Sequence, residues 1–185
     1  MTDLQDKLSR RRFMRLAALS AGGIYLFSRC AGPTAVWRFF TTSEARLMDA
    51  LADQIIPPDE WPGGRESGVT NFIDKQLNGP YLRFQSEYRK GLKGIQDSSE
   101  TLYHQRFENL NWKEQTSFLE LMEAGKMNEP VWADGFDLKF FGLIRDHSMQ
   151  SYYGSSRHGG NRDNISYKML KLDYPFIVGQ NRYKS

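Results

Sequence analysis

The feature that most restricts what this chain can fold into is a helical hydrophobic period. It runs through almost the whole body and is broken only by caps, prolines and glycines. Thr41 with Glu44 three residues later forms a capping-box pattern, and Ala45, Leu47, Met48, Leu51, Ile55 and Ile56 follow mostly at three- and four-residue steps. That helix must stop near Pro57-Pro58, where Asp59-Glu60-Trp61-Pro62-Gly63-Gly64 reads as an ordered loop. Val69, Phe72, Ile73 and Leu77 predict a second helix ending near Asn78-Gly79. Pro80 is then expected in the first turn of a third, striped by Tyr81, Phe84, Tyr88, Leu92 and Ile95. Asn111 with Glu114 repeats the capping pattern ahead of Phe118, Leu119, Leu121 and Met122, and Ala124-Gly125 closes that helix. A longer helix is expected from Asp134 to Tyr153, with Phe136, Phe140, Leu143, Ile144 and His147 on one face and Phe141 widening it. No segment alternates convincingly as a strand would. The expected fold class is all-α: a single small helical domain over residues 36–185, with long ordered loops and a Gly/aromatic-rich C-terminal segment.

Residues 1–35 read differently, as a twin-arginine signal segment and linker. Ser9-Arg10-Arg11-Arg12-Phe13-Met14-Arg15 runs into an apolar stretch from Leu16 to Phe27. Paired arginines ahead of a short apolar run mark the export route that carries folded, often cofactor-loaded proteins, with Arg10, Arg11 and Phe13 as its signal residues. The apolar run is well short of the roughly 20 residues that span a bilayer core. Arg29 interferes with a small-x-small cleavage site near Cys30-Ala31-Gly32, so the leader could be retained. A lipid on Cys30 is disfavoured by the same arginine and by Phe27.

The leader also dominates the charge. Residues 1–35 hold six Lys/Arg against two Asp/Glu, whereas the remaining residues hold 19 against 20. The net charge of +3 over the full chain therefore reports on targeting, and a body without blanket positive charge is a poor nucleic-acid binder. One cysteine, Cys30, cannot form a disulfide within the chain, and it excludes covalent haem, a cysteine-ligated iron–sulfur cluster and a zinc ribbon. Nor is there a Gly-x-Gly-x-x-Gly after a strand-like run to cradle a dinucleotide. An export signal suited to cofactor proteins thus precedes a body with no evident cofactor site.

The last thirty residues combine glycine with aromatic and polar side chains. Tyr152, Tyr153, Arg157, His158, Gly159, Gly160, Asn161, Arg162 and Asp163 have the composition of a binding surface as much as of a turn, and form the candidate partner interface. A competing reading is an active site of the chain's own, built from His104, His147 and His158 with Asp146, Arg157, Arg162 and Asp163. No His-x-x-x-His spacing forces those histidines together, and no nucleophile is positioned, so no catalytic, cofactor-binding or metal-ligating residue is assigned.

Several stretches together resemble the gluconate 2-dehydrogenase subunit 3 family, the small subunit of membrane-associated flavin dehydrogenases. They are the Ser9-to-Phe13 leader, Ala52-Asp53-Gln54-Ile55-Ile56-Pro57-Pro58-Asp59, Gly68-Val69-Thr70-Asn71-Phe72-Ile73-Asp74, Arg145-Asp146-His147-Ser148-Met149 and the run from Tyr152 to Asp163. The resemblance implies a complex in which a large FAD-containing dehydrogenase subunit oxidises a sugar, sugar acid or polyol and a multihaem cytochrome c subunit passes on the electrons. FAD and haem c would then belong to the partners. The small subunit would escort the FAD subunit through the twin-arginine translocation machinery to the periplasm, associated with the inner membrane only indirectly through the complex. A transient periplasmic chaperone or structural protein is the alternative, and an independent metal- or His-dependent enzyme a third.

Overall fold

The computed structural model describes residues 37–172. The signal residues Arg10, Arg11 and Phe13, and Cys30, lie outside the described residues. Among those described, the fold is all-α and contains no strand. The helices are α1 (Thr42–Ile55), α2 (Val69–Leu77), α3 (Gln85–Tyr103), α4 (Trp112–Glu123), α5 (Phe136–Tyr153) and the short α6 (Ile165–Met169), joined by loops and single 3-10 turns.

Both expected capping boxes form. Thr41 Oγ1 accepts the Glu44 amide while Glu44 accepts the Thr41 amide, and Asn111 and Glu114 exchange the same pair of bonds. Each satisfies two amides that a helix start otherwise leaves without partners. The third helix differs from expectation, beginning at Gln85 rather than around Pro80. The amides of Tyr81 and Leu82 bond backward to Gln76 O and Gly79 O, and Gln85 Nε2 donates to Leu77 O, so residues 78–82 finish α2 and Leu82–Phe84 make a 3-10 turn before α3 starts. The fifth helix starts two residues late because Asp134 and Gly135 are both left-handed, with φ of 60° and 69°. Helix α6 lies inside the segment read above as loop or interface.

Helix α5 is the central element, packing against α1, α2, α3, α4 and α6. Its Phe140 and Ile144 join Leu47, Met48 and Leu51 of α1, Val69, Ile73 and Leu77 of α2, Tyr88, Leu92 and Ile95 of α3, and Phe118 and Met122 of α4 in one core. Close approach of α3 to this core depends on two glycines inside a helix. A Cβ on Gly91 would penetrate the Phe140 ring, and one on Gly94 would sit 2.8 Å from Trp132 Cζ2. Trp132 is buried there with Nε1 donating to Ser98 Oγ at 2.8 Å.

Glycine inside a helix ordinarily costs about 1 kcal/mol relative to alanine, so Gly91→Ala would stabilise a free helix. Here the added methyl meets a packed ring, and overpacking costs about 1–3 kcal/mol. G91A is expected to lower the urea midpoint of the full chain; a raised midpoint would show that α3 and α5 are not in close contact at this point.

Candidate functional site

Helix α5 ends at Tyr153, and the chain then doubles back as a clasp over the N-terminus of α2. Arg162 N–H donates to Ser67 O at 2.9 Å, Asn71 Nδ2 to Gly159 O at 2.8 Å, and Lys75 Nζ to Arg157 O at 3.3 Å. Inside the clasp, Asn161 Nδ2 donates to Gly154 O at 2.7 Å and its Oδ1 accepts the Ser166 amide at 3.0 Å, which ties the turn to α6. The two adjacent glycines serve different ends. Gly159 has φ of +104°, in the region that favours glycine, and its Cβ would lie 2.8 Å from Asn71 Nδ2. Gly160 is needed for space: a Cβ there would collide with Ser151 Oγ and lie 2.7 Å from Ser151 O. Asn161, Asp163 and Asn164 are also left-handed, a region that Asn and Asp tolerate better than other non-glycine residues.

The residues singled out as a partner interface are therefore brought together but divided between inside and outside. Tyr152 is 3% exposed and its hydroxyl donates to Pro62 O at 3.0 Å, while Gly160 and Asn161 are buried. Tyr153, at 41%, faces outward, as do Arg157, His158, Arg162 and Asp163. Among the described residues neither Arg157 nor Arg162 forms an ion pair. The clasp thus packs residues 157–162 against α2 and the loop before it with one face and presents charged and aromatic groups with the other.

Beside the clasp lies a cleft of about 450 Å³, lined among others by Trp37, Asp49, Asp53, Arg65, Asn71 and Arg162. Sequence reasoning did not single it out. Asp49 and Asp53 stand one turn apart on α1, and that spacing in the sequence was the available signal. Burial raises the Asp49 carboxyl above its ordinary value, opposed by the Thr70 hydroxyl, which donates to Oδ1 at 2.6 Å, and by the Arg65 guanidinium at 3.6 Å. Burial likewise raises Asp53, although its Oδ1 accepts the Arg65 amide at 2.9 Å. The Pro-Gly loop shapes this wall. Gly64 packs on the end of α1, where a Cβ would lie 2.7 Å from the Ala52 carbonyl carbon, and its amide donates to Ile56 O at 2.9 Å.

The three histidines do not converge on a metal site, and among the described residues no three His, Cys, Asp or Glu side chains gather as a ligand set. His104 caps the end of α3 and His158 sits on the outer face of the clasp. His147 is buried, stacked on Tyr81 with ring centroids 3.9 Å apart, and its Nδ1 lies 2.9 Å from Tyr88 Oη. Burial pushes its pKa down to about 4, against the opposing pull of Asp146 and with help from Arg83. A core residue, it holds the aromatic layer between α3 and α5.

The sign of the resulting pH dependence follows directly. The unfolded imidazole takes up a proton below its ordinary value of 6.5, whereas the folded one does so only below about 4. This group's contribution is therefore intact above pH 6.5, declines as pH falls toward 4, and is constant below that. At 1.36 kcal/mol per pH unit the loss approaches about 3 kcal/mol. Urea titrations of the wild type and His147→Gln from pH 7.5 to 4 should show the variant's curve flatter over this interval; parallel curves would assign the acid sensitivity elsewhere.

Among the described residues no helix is long and apolar enough to cross a membrane. No curated protein and no solved structure matches the chain. One family does match, over residues 42–173, which takes in every helix described here, the clasp and the named lining of the cleft apart from Trp37. By that match the chain belongs to the family described as Gluconate 2-dehydrogenase subunit 3.

Proposed function

We propose that this chain is the non-catalytic small subunit of a membrane-associated flavin dehydrogenase complex on the periplasmic side, and that it escorts the FAD subunit through twin-arginine export and then stabilises it. The observation that carries the reading is the coincidence of the Arg10-Arg11-Phe13 leader with membership of this subunit family. The physical character of the body supports it. A helical domain without a strand among the described residues cannot form the strand–turn–helix on which a dinucleotide's pyrophosphate rests. The cleft beside the clasp is rimmed by the charged side chains of Asp49, Asp53, Arg65 and Arg162. The flavin in this reading lies with the large subunit and haem c with a multihaem cytochrome subunit, which also supplies the attachment to the inner membrane. The substrate, a sugar, sugar acid or polyol, is selected by the large subunit.

The outer face of the clasp is the proposed contact with the FAD subunit. Tyr153 offers rigid aromatic area, and Arg157 and Arg162 carry charges that an acidic patch on the partner would complement.

Arg10→Lys with Arg11→Lys should leave the FAD subunit in the cytoplasm and abolish substrate-dependent dye reduction in the periplasmic and membrane fractions. Export of that subunit at its normal level in the double variant would contradict the escort role. Arg157→Glu with Arg162→Glu should slow association with the FAD subunit by roughly tenfold at low salt, with the difference shrinking as salt rises. Equal association rates at all salt concentrations would move the contact away from the clasp.

A further inference from the structure

We infer that Gly154–Leu172 is a strap that opens and recloses as one unit while the core helices stay folded, and that its Arg162 is the movable wall of the cleft. The inference goes beyond the subunit reading and does not rest on it. Three independent observations carry it. First, the strap is held chiefly by polar contacts: Arg162 N–H to Ser67 O, Asn71 to Gly159 O and Lys75 to Arg157 O are its bonds to α2 and the loop ahead of it. Ile165 is the one large apolar side chain buried from within it. Second, the closed seam traps hydroxyls without partners. Ser151 Oγ, pressed against Gly160, and Ser166 Oγ are both buried and make no hydrogen bond, and each would regain water on opening. Third, closure holds Asn161, Asp163, Asn164 and Lys171 in the left-handed region, a backbone cost that opening releases.

Few buried apolar contacts together with unpaired buried polar groups define the low-stability end of a fold, where opening is local. Core helices α3 and α4 lie at the other extreme, with Leu92, Ile95, Phe118 and Met122 buried. Opening of the strap would withdraw Arg162 from the wall it shares with Asp49, Asp53 and Arg65, so the size of the cleft is coupled to the strap.

Amide hydrogen exchange on the full chain tests this. The amides of Arg162 and Ser166, which bond Ser67 O and Asn161 Oδ1, should exchange roughly a hundredfold faster than those of Leu92 and Phe118, with a shallower dependence on denaturant. Two variants should move the strap in opposite directions and leave the core unmoved. Ser151→Ala removes a trapped hydroxyl and should slow strap exchange roughly tenfold; Asn71→Ala removes a closing bond and should speed it about fivefold. A common exchange rate for strap and core, variants that shift both together, or faster strap exchange in S151A would each overturn the inference.

Discussion

The contact between Phe140 and the bare backbone of Gly91 is the constraint on which the rest of this structure depends. It allows α3 to lie against α5 with only the Phe140 ring between the two backbones, and Gly94 gives Trp132 the same close approach to α3. With α3 this close, Tyr88 reaches His147 and its layer of stacked rings closes one side of the core. Helix α5 can then serve as the element that all the other helices touch. A chain of this length has a modest core, so such close packing carries a large share of its stability.

The two ends of the molecule's functional face are built by unlike means. The clasp relies on backbone conformation, with glycine and left-handed Asn and Asp residues bending the chain back onto α2. The cleft relies on close approach: Gly63 and Gly64 let the Pro-Gly loop settle on the C-terminal end of α1, beside the partly buried Asp49 and Asp53. Their common border runs along Gly68, Asn71 and Arg162. A motion of the clasp is in consequence felt by the cleft, without any change in the helices beneath.

Membership of the Gluconate 2-dehydrogenase subunit 3 family covers the helical body that carries both the cleft and the clasp. The outer clasp is the proposed docking face. Its charged groups are held on a segment whose inner side is already hydrogen-bonded, so a partner would order few additional residues there.

How much was legible beforehand varies with the kind of interaction. The all-α class, both capping boxes and the buried faces of α1, α2 and α4 could be read directly, because caps and 3.6-residue periods are properties of contiguous residues. Tyr81 and Phe84 were read into the third helix since they share its spacing, but backward bonds to α2 placed them in a turn, a competition between two helix ends that periodicity cannot register. Tyr152 to Asp163 stood out by composition, yet composition does not say which residues face inward. Tyr152, Gly160 and Asn161 do so because Pro62, Ser151 and Ser166 lie opposite them; Tyr152 meets Pro62 only when α5 crosses the loop after α1, and the other two pairs meet only when the chain turns back after α5. The sequence alone determined the five longer helices and the two capping boxes, all encoded within a few neighbouring positions. The tertiary structure alone decided the cleft, the burial of His147 and the sidedness of the clasp, since each arises where segments distant in the chain exclude water from one another.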